Sequence, residues 1–99
     1  MSELLVGLTV RDEAGYAAYR AAMTPLLEAA GGAFGVDVRV AEVLRGPAAI
    51  NRLFTMRFPS AAARDAFFAD PAYLAVRARL FEPSVEGAPV MLGRYDVSP

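Results

Sequence analysis

The sequence contains no cysteine, no histidine, no tryptophan and no lysine, and these absences exclude several kinds of chemistry. Without cysteine there is no disulfide, no thiolate nucleophile and no sulfur-ligated metal. Without histidine there is no imidazole base, no Ser-His-Asp triad and no ordinary zinc or haem site. Without lysine there is no Schiff-base chemistry. We therefore expect neither a metal nor another cofactor.

The charges are few and balanced. Ten arginines face eleven acidic residues, which gives a formal net charge of −1, and the arginines are spread along the chain. Because nucleic-acid binders usually present a basic face, this balance predicts no nucleic-acid partner. No stretch approaches the ~20 apolar residues that a membrane span needs, and the first residues lack the basic region of a signal peptide. We therefore expect a cytoplasmic protein without a membrane partner.

Apolar residues are the abundant class in this chain. They make up 56% of the 99 residues, against about 45–50% in a typical soluble domain. A chain of this length holds one core, so residues 1–99 are predicted to form a single domain. The excess of apolar residues predicts exposed apolar surface that a partner covers.

The first half of the chain predicts a strand, a helix and a second strand. Apolar residues at three- and four-residue spacing follow Asp12, a residue type that favours helix N-termini. Pro25 inside this run predicts a kink or a break near Thr24, and Gly31-Gly32 ends the helix. The predicted bounds are Glu3–Val10 for the first strand, about Glu13–Ala30 for the helix and Ala33–Leu44 for the second strand.

The second half predicts the same plan again. Ser60 is the predicted N-cap of a helix that Asp70-Pro71 interrupts, and Pro71 suits the first turn of a second helical piece. The predicted segments are a turn at Arg45–Ala49, a strand at Asn51–Phe58, a helix from Ser60 to Asp70, a second piece from Pro71 to about Phe81, a loop at Glu82–Gly87 and a strand at Ala88–Val97. The order strand-helix-strand-strand-helix-strand predicts an α+β, ferredoxin-like sandwich with an antiparallel four-stranded sheet and both helices on one face.

A sheet with helices on one side leaves its other face open. A hairpin register with Asp37 opposite Arg57, Arg39 opposite Thr55 and Glu42 opposite Arg52 would sort the side chains between the two faces. Water, a nucleic acid or a second sheet are the three candidates to cover the open face, and we prefer a second copy of the chain, since two sheets would then enclose a lumen. The predicted helix-facing set is Phe34, Val36, Val38, Val40, Phe54, Met56 and Phe58, and the open-face set is Gly35, Asp37, Arg39, Ala41, Leu53, Thr55 and Arg57.

Three short motifs resemble a known family. They are Gly31-Gly32-Ala33-Phe34, the stretch Met56-Arg57-Phe58-Pro59-Ser60, and Asp70-Pro71-Ala72-Tyr73. Together they resemble the uncharacterised-domain family 1330 (DUF1330) of the dimeric α/β-barrel superfamily. The resemblance implies a homodimer whose two sheets form a barrel, and it implies no activity. The chain departs from the family at Arg57, where members often carry an acidic residue, and at Leu44-Arg45-Gly46, where Leu-Glu-Gly is common.

Three hypotheses of function follow for such a dimer. The first is binding of a small anionic or carbonyl-bearing molecule between the sheets by Arg57, Arg39 and Asp37, with Thr55 on the same face and the hydroxyl of Tyr16 nearby. The second is a cofactor-independent monooxygenase- or cyclase-like enzyme, with Asp37 or another carboxylate as base. The third is an assembly module without a ligand. Two structural alternatives stay open: Asp37 and Arg57 as a simple cross-strand pair, and Tyr16 as a core residue.

Overall fold

The computed structural model describes residues 1–46 and 49–97, and in these residues four strands form one sheet. Pro47 and Ala48 of the predicted turn lie outside the described residues. The elements are β1 (Ser2–Leu8), α1 (Glu13–Ala29), β2 (Ala33–Arg39), β3 (Arg52–Phe58), α2 (Ala61–Ala69), α3 (Pro71–Val76), a π-helical segment (Arg77–Phe81), a 3₁₀ turn (Glu82–Ser84) and β4 (Val90–Asp96).

The sheet has the strand order β2-β3-β1-β4, and all neighbouring strands are antiparallel. This order interleaves the two strand-helix-strand halves, because β1 and β3 lie side by side in the centre. The predicted ferredoxin-like α+β architecture is confirmed.

Three polar side chains start the helices where the sequence predicts. Asp12 Oδ1 accepts a hydrogen bond from the Gly15 N–H at 3.0 Å, and Ser60 Oγ accepts one from the Ala63 N–H at 3.1 Å. Asp70 Oδ1 accepts one from the Ala72 N–H at 2.8 Å. Each bond satisfies a backbone donor that has no partner inside its helix.

Helix α1 continues through Pro25, so of the predicted kink or break near Thr24 the break is wrong. Proline removes one donor and crowds the carbonyl one turn earlier, here that of Ala21. Ala21 is exposed, and water can therefore serve that carbonyl. The buried Met23 and Leu27 lie on either side of Pro25 and anchor both turns to the core.

The segment after Pro71 also differs from its prediction. Regular α-helix ends at Val76, and the rest of the predicted helical piece winds as a π-helix up to Phe81. The 3₁₀ turn lies inside the predicted loop, and β4 is shorter than predicted at both ends. Strand β1 ends at Leu8 rather than at Val10, which forms only an isolated bridge with Val85.

The hairpin of β2 and β3 corrects the predicted register. Asp37 lies opposite Phe54 and Arg39 opposite Arg52, because the register shifts between Phe34 and Asp37. Such a β-bulge adds one residue to one strand, so every later side chain of β2 lies on the other face. Strand β2 also ends at Arg39 rather than at Leu44, and Glu42 is therefore outside the sheet.

Two residues build the bulge. The Val36 N–H donates to Thr55 Oγ1 at 2.9 Å, a side-chain bond that replaces a ladder bond. Gly35 leaves the space for this hydroxyl, because a Cβ at position 35 would collide with Thr55 Oγ1. As a consequence Val36 and Val38, predicted to face the helices, are 55% and 44% exposed.

The core lies between the helices and the face of the sheet that carries Leu4, Val6 and Leu8 of β1 and Phe54, Met56 and Phe58 of β3. Three aromatic rings pack together there. The ring centroid of Phe67 lies 5.6 Å from that of Phe58 and 4.6 Å from that of Tyr73. Over the described residues, none of the helices combines the length and the apolar character that crossing a bilayer would require.

Candidate functional site

The five residues predicted to bind a ligand do not share one face of the sheet. Arg57 and Thr55 lie on the open face, opposite Glu3 and Leu5 of β1. Asp37 and Arg39 lie on the helix side, because the bulge reverses their direction. Tyr16 is 1% exposed and belongs to the core, which is the structural alternative left open for it.

Asp37 holds the edge strand to α1. Its carboxylate forms an ion pair with Arg20 of α1 and a second with Arg52 Nε of β3 at 3.3 Å. The guanidinium of Arg20 also stacks over the ring of Phe34, 3.5 Å from its centroid. The predicted pair of Asp37 with Arg57 is therefore wrong. With two arginines beside it, the Asp37 carboxylate joins β2 to α1 and β3 and is poorly suited to act as a base.

Arg39 reaches the same region more loosely. Its guanidinium lies 3.9 Å from the Glu13 carboxylate, and its side chain is 74% exposed. An exposed pair at this distance contributes little to stability. Arg39 thus lies at the rim of the helix side rather than on the open face.

A polar cluster occupies the open face around Glu3. The carboxylate accepts hydrogen bonds from Arg57 Nη2 at 3.2 Å and from the Tyr95 hydroxyl at 2.9 Å. The bond to Glu3 raises the pKa of Tyr95, since ionisation would break it. Arg57 and Thr55 therefore both have partners within the chain, Thr55 through the bulge.

A pocket of about 290 Å³ lies on the opposite side of the sheet, between the strands and the helices. Its walls are mainly apolar and aromatic, and its polar groups are two tyrosines and three arginines. The lining residues are Leu4, Val6, Tyr19, Phe54, Met56, Arg64, Phe68, Tyr73, Arg77, Phe81, Pro89, Met91 and Arg94.

Two tyrosine hydroxyls meet at this pocket. The Tyr19 and Tyr73 oxygens are 3.2 Å apart and share one hydrogen bond, in which either can be the donor. Burial is the largest cause that raises the pKa of Tyr19 far above its ordinary value, and the neighbouring Tyr73 adds to it. Tyr19 is thus a neutral hydroxyl at any ordinary pH, suited to hydrogen bonding rather than to proton abstraction.

The three arginines of the pocket differ in their partners. Arg64 donates to Ser2 Oγ at 2.9 Å and to Asp65 Oδ1 at 3.1 Å. Arg77 and Arg94 form no ion pair with any residue in the described ranges 1–46 and 49–97. Arg64 and Arg94 also line a smaller polar pocket of about 270 Å³, whose other walls are Ser2, Ala61, Tyr95 and Asp96.

Sequence reasoning missed this pocket although a signal was present. Tyr73, Arg77 and Phe81 follow one another at four-residue spacing, and so do Arg64 and Phe68. This spacing places arginines and aromatic rings on one helix face. The predicted ligand set contains strand residues and Tyr16, and it includes no residue of this helix face.

Solved structures of similar shape are known from several organisms. A protein of unknown function from Rhodopseudomonas palustris superposes with a TM-score of 0.77 at 21% identity, over 99% of this chain and 83% of that one. A dimeric ferredoxin-like protein of unknown function from Jannaschia sp. gives 0.68 at 19% identity, over 97% and 98%. A candidate antibiotic biosynthesis monooxygenase from Caulobacter crescentus gives 0.59 at 17% identity, over 99% and 90%.

At these identities the likenesses establish the fold alone. No curated protein matches the sequence. The sequence pattern of a domain of unknown function, DUF1330, matches residues 4–86. That span covers most of the chain and all three motifs that carried the resemblance, and the protein therefore belongs to the DUF1330 family.

Proposed function

We propose that the protein is a homodimer in which each subunit binds a small molecule in the pocket between its sheet and its helices. The observation that carries ligand binding is the pocket itself. Apolar and aromatic walls with a few converging polar groups are typical of small-molecule sites. The volume of about 290 Å³ is at the lower end of the range of such sites, so the ligand is small.

The open face of the sheet supports the homodimer. Val36, Val38 and Tyr95 are each more than two-fifths exposed there, around the ordered Glu3 cluster. A second copy placed by a two-fold axis would cover this face with an identical one. The similar protein from Jannaschia sp. is described as dimeric, which supports a homodimer here.

Our proposal puts the ligand behind the sheet, whereas the sequence predicts a ligand between two sheets. Asp37, Arg39 and Tyr16 do not lie on the open face, so the lumen would keep only Arg57 and Thr55 of the predicted set. These two remain predicted contacts for a ligand in the lumen, and the experiment below separates the two locations.

A cofactor-independent monooxygenase- or cyclase-like enzyme is the second proposal. The observation that favours it is the buried pair of tyrosine hydroxyls, Tyr19 and Tyr73, which can donate to a substrate oxygen. No described carboxylate lines the pocket, however, and Asp37 is held by two arginines. A base is therefore missing, which makes binding the better supported function.

Amide chemical shifts of the labelled protein during titration with a library of small organic fragments test the location. Fragments that bind as proposed should change the amide chemical shifts of Tyr73, Phe81 and Met91. Met91→Trp would block the mouth of the pocket and abolish these shifts. Leu92→Trp, at the neighbouring position outside the lining, is the control that retains them; both side chains are about half exposed, so neither change disturbs the core.

The open face is probed with Arg57→Ala in the same titrations. We expect fragment affinity to be unchanged, because Arg57 lies on the far side of the sheet. A loss of affinity with shifts around Leu5 and Thr55 would instead place the ligand between the sheets. Absence of shifts at either location, in a protein of dimer mass, would leave the assembly module as the function.

A further inference from the structure

The charges at the pocket all have one sign. In the part of the chain that the structure describes, its lining contains three arginines and no acidic residue. Among the described residues, only Arg64 of these three arginines forms an ion pair, with the carboxylate of Asp65. An unpaired cation at an apolar wall is unfavourable because it loses water without gaining a counter-ion.

Arg77 is the residue where this imbalance is greatest. Its Nε atom is buried and has no hydrogen-bond partner among the described residues. Its guanidinium carbon lies 5.9 Å from the centre of the Phe81 ring, so an aromatic face lies beside the charge. A carboxylate beside Arg77 would supply the acceptor that the buried donor lacks.

The backbone contributes to this placement. Arg77 and Phe81 are the first and last residues of the π-helical segment. A π-helix is rare, and it occurs frequently at functional sites. Here the side chains of both residues line the pocket.

We propose that the ligand is an organic carboxylate with an apolar or aromatic body, whose carboxylate binds to Arg77 and Arg94 and whose body fills the pocket. The inference rests on the proposed ligand site and names the chemical class of its ligand. The planar guanidinium suits this class, since its fork of donors matches the two oxygens of a carboxylate. The hydroxyls of Tyr19 and Tyr73 are further hydrogen-bonding groups of the same pocket.

The size of the pocket restricts the body of the ligand. A volume of about 290 Å³ equals that of roughly ten water molecules in the liquid. A carboxylic acid of about that many non-hydrogen atoms, such as 3-phenylpropionate, is of matching size. Its phenyl ring would pack against Phe68 and Phe81.

The test compares 3-phenylpropionate with its neutral amide, 3-phenylpropanamide, by calorimetric titration of the wild-type protein at neutral pH. We expect the carboxylate to bind at least about tenfold more tightly, because the neutral amide lacks the charge-assisted hydrogen bond that the carboxylate forms with an arginine. Higher salt would reduce this preference, because Arg94 is exposed.

Variants of the arginines assign the preference to its source. Arg77→Gln is expected to remove the preference for the carboxylate while the amide binds as before. Arg79→Gln is the matched control, since Arg79 belongs to the same π-helical segment, is exposed and does not line the pocket. Should Arg77→Gln fold poorly by circular dichroism, Arg94→Gln replaces it, because that exposed position tolerates the change.

Three results would overturn the inference. Equal affinity for acid and amide, with shifts at the pocket, would reject the carboxylate and leave the ligand site intact. A preference that survives both Arg77→Gln and Arg94→Gln would reject the assigned residues. Failure of both probes to bind, together with fragments that ignore Met91→Trp, would remove the ligand site and the carboxylate together.

Discussion

The buried hydroxyl pair of Tyr19 and Tyr73 links the stability of the fold to alkaline pH. The pKa of Tyr19 is raised in the folded chain, mainly by burial, whereas an unfolded tyrosine ionises near pH 10. Above about pH 10 the unfolded state therefore binds fewer protons than the folded state, and the free energy of unfolding falls. The predicted slope for Tyr19 approaches 1.4 kcal/mol per pH unit as an upper limit.

Urea unfolding between pH 8 and pH 11.5 measures this effect. Tyr19→Phe should flatten the decline, since phenylalanine has no proton to lose. Tyr95→Phe is the control: Tyr95 is 41% exposed on the open face, and its removal should keep most of the decline. A wild-type curve that stays level through pH 11 would contradict the assignment of a neutral, buried Tyr19.

Residue types alone could not predict the role of Asp37. The sequence predicts Arg57 as the partner of Asp37, and the structure pairs Asp37 with Arg20 and Arg52 instead. Which arginines it meets depends on which face it occupies, and one extra residue in the strand decides that. The extra residue is set by Thr55 and Gly35, whose contact joins positions 20 residues apart and leaves no local pattern in the sequence.

The β-bulge in strand β2 predicts how the effects of two substitutions on stability combine. Gly35→Ala would force a Cβ against Thr55 Oγ1 and should destabilise the fold by about 1–3 kcal/mol. In a Thr55→Ala background the obstacle is gone, so the same change should cost less. Chemical denaturation of the two single variants and the double variant measures this coupling.

Another strand glycine provides the control for the bulge. Apart from Gly93 and its two chain neighbours, no described residue has an atom within 4 Å of the position that a Cβ on Gly93 would occupy. Gly93→Ala should therefore leave stability nearly unchanged or raise it slightly, as removal of glycine flexibility predicts. Equal losses of stability for Gly35→Ala and Gly93→Ala would show that the loss comes from replacing a strand glycine and not from the contact with Thr55.

Elements with local causes were predictable, and those with distant causes were not. Asp12, Ser60 and Asp70 begin their helices because a side-chain oxygen reaches a backbone N–H two or three residues away. The continuity of α1 across Pro25 depends instead on the core beneath Met23 and Leu27. The π-helical segment likewise satisfies packing against α1 and the pocket, which a reading of periodicity does not include.

On the scale of the whole molecule, the two sides of the sheet differ in what they contain. The side under the helices contains the core and the pocket, with the arginines at its wall. The open side contains the Glu3 cluster and exposed valines, and no helix of the described residues packs on it. The strand order was predictable from the order of elements. The location of the pocket was not, because its walls come from α1, α2, the segment after Pro71 and three strands at once.

The last prediction concerns the formation of a dimer through the open side of the sheet. Val38→Glu would place two carboxylates in the proposed interface of the two sheets, where burying unpaired like charges is strongly unfavourable. Sedimentation of the wild-type protein at micromolar concentration should give twice the 10.6 kDa of one chain, and Val38→Glu should weaken association by at least about a hundredfold. Leu74→Glu on α3 is the matched control, since Leu74 is 43% exposed and Val38 is 44% exposed, on opposite sides of the molecule. If Leu74→Glu dissociates the protein and Val38→Glu does not, the copies meet through their helices and the sheet face is covered by something else.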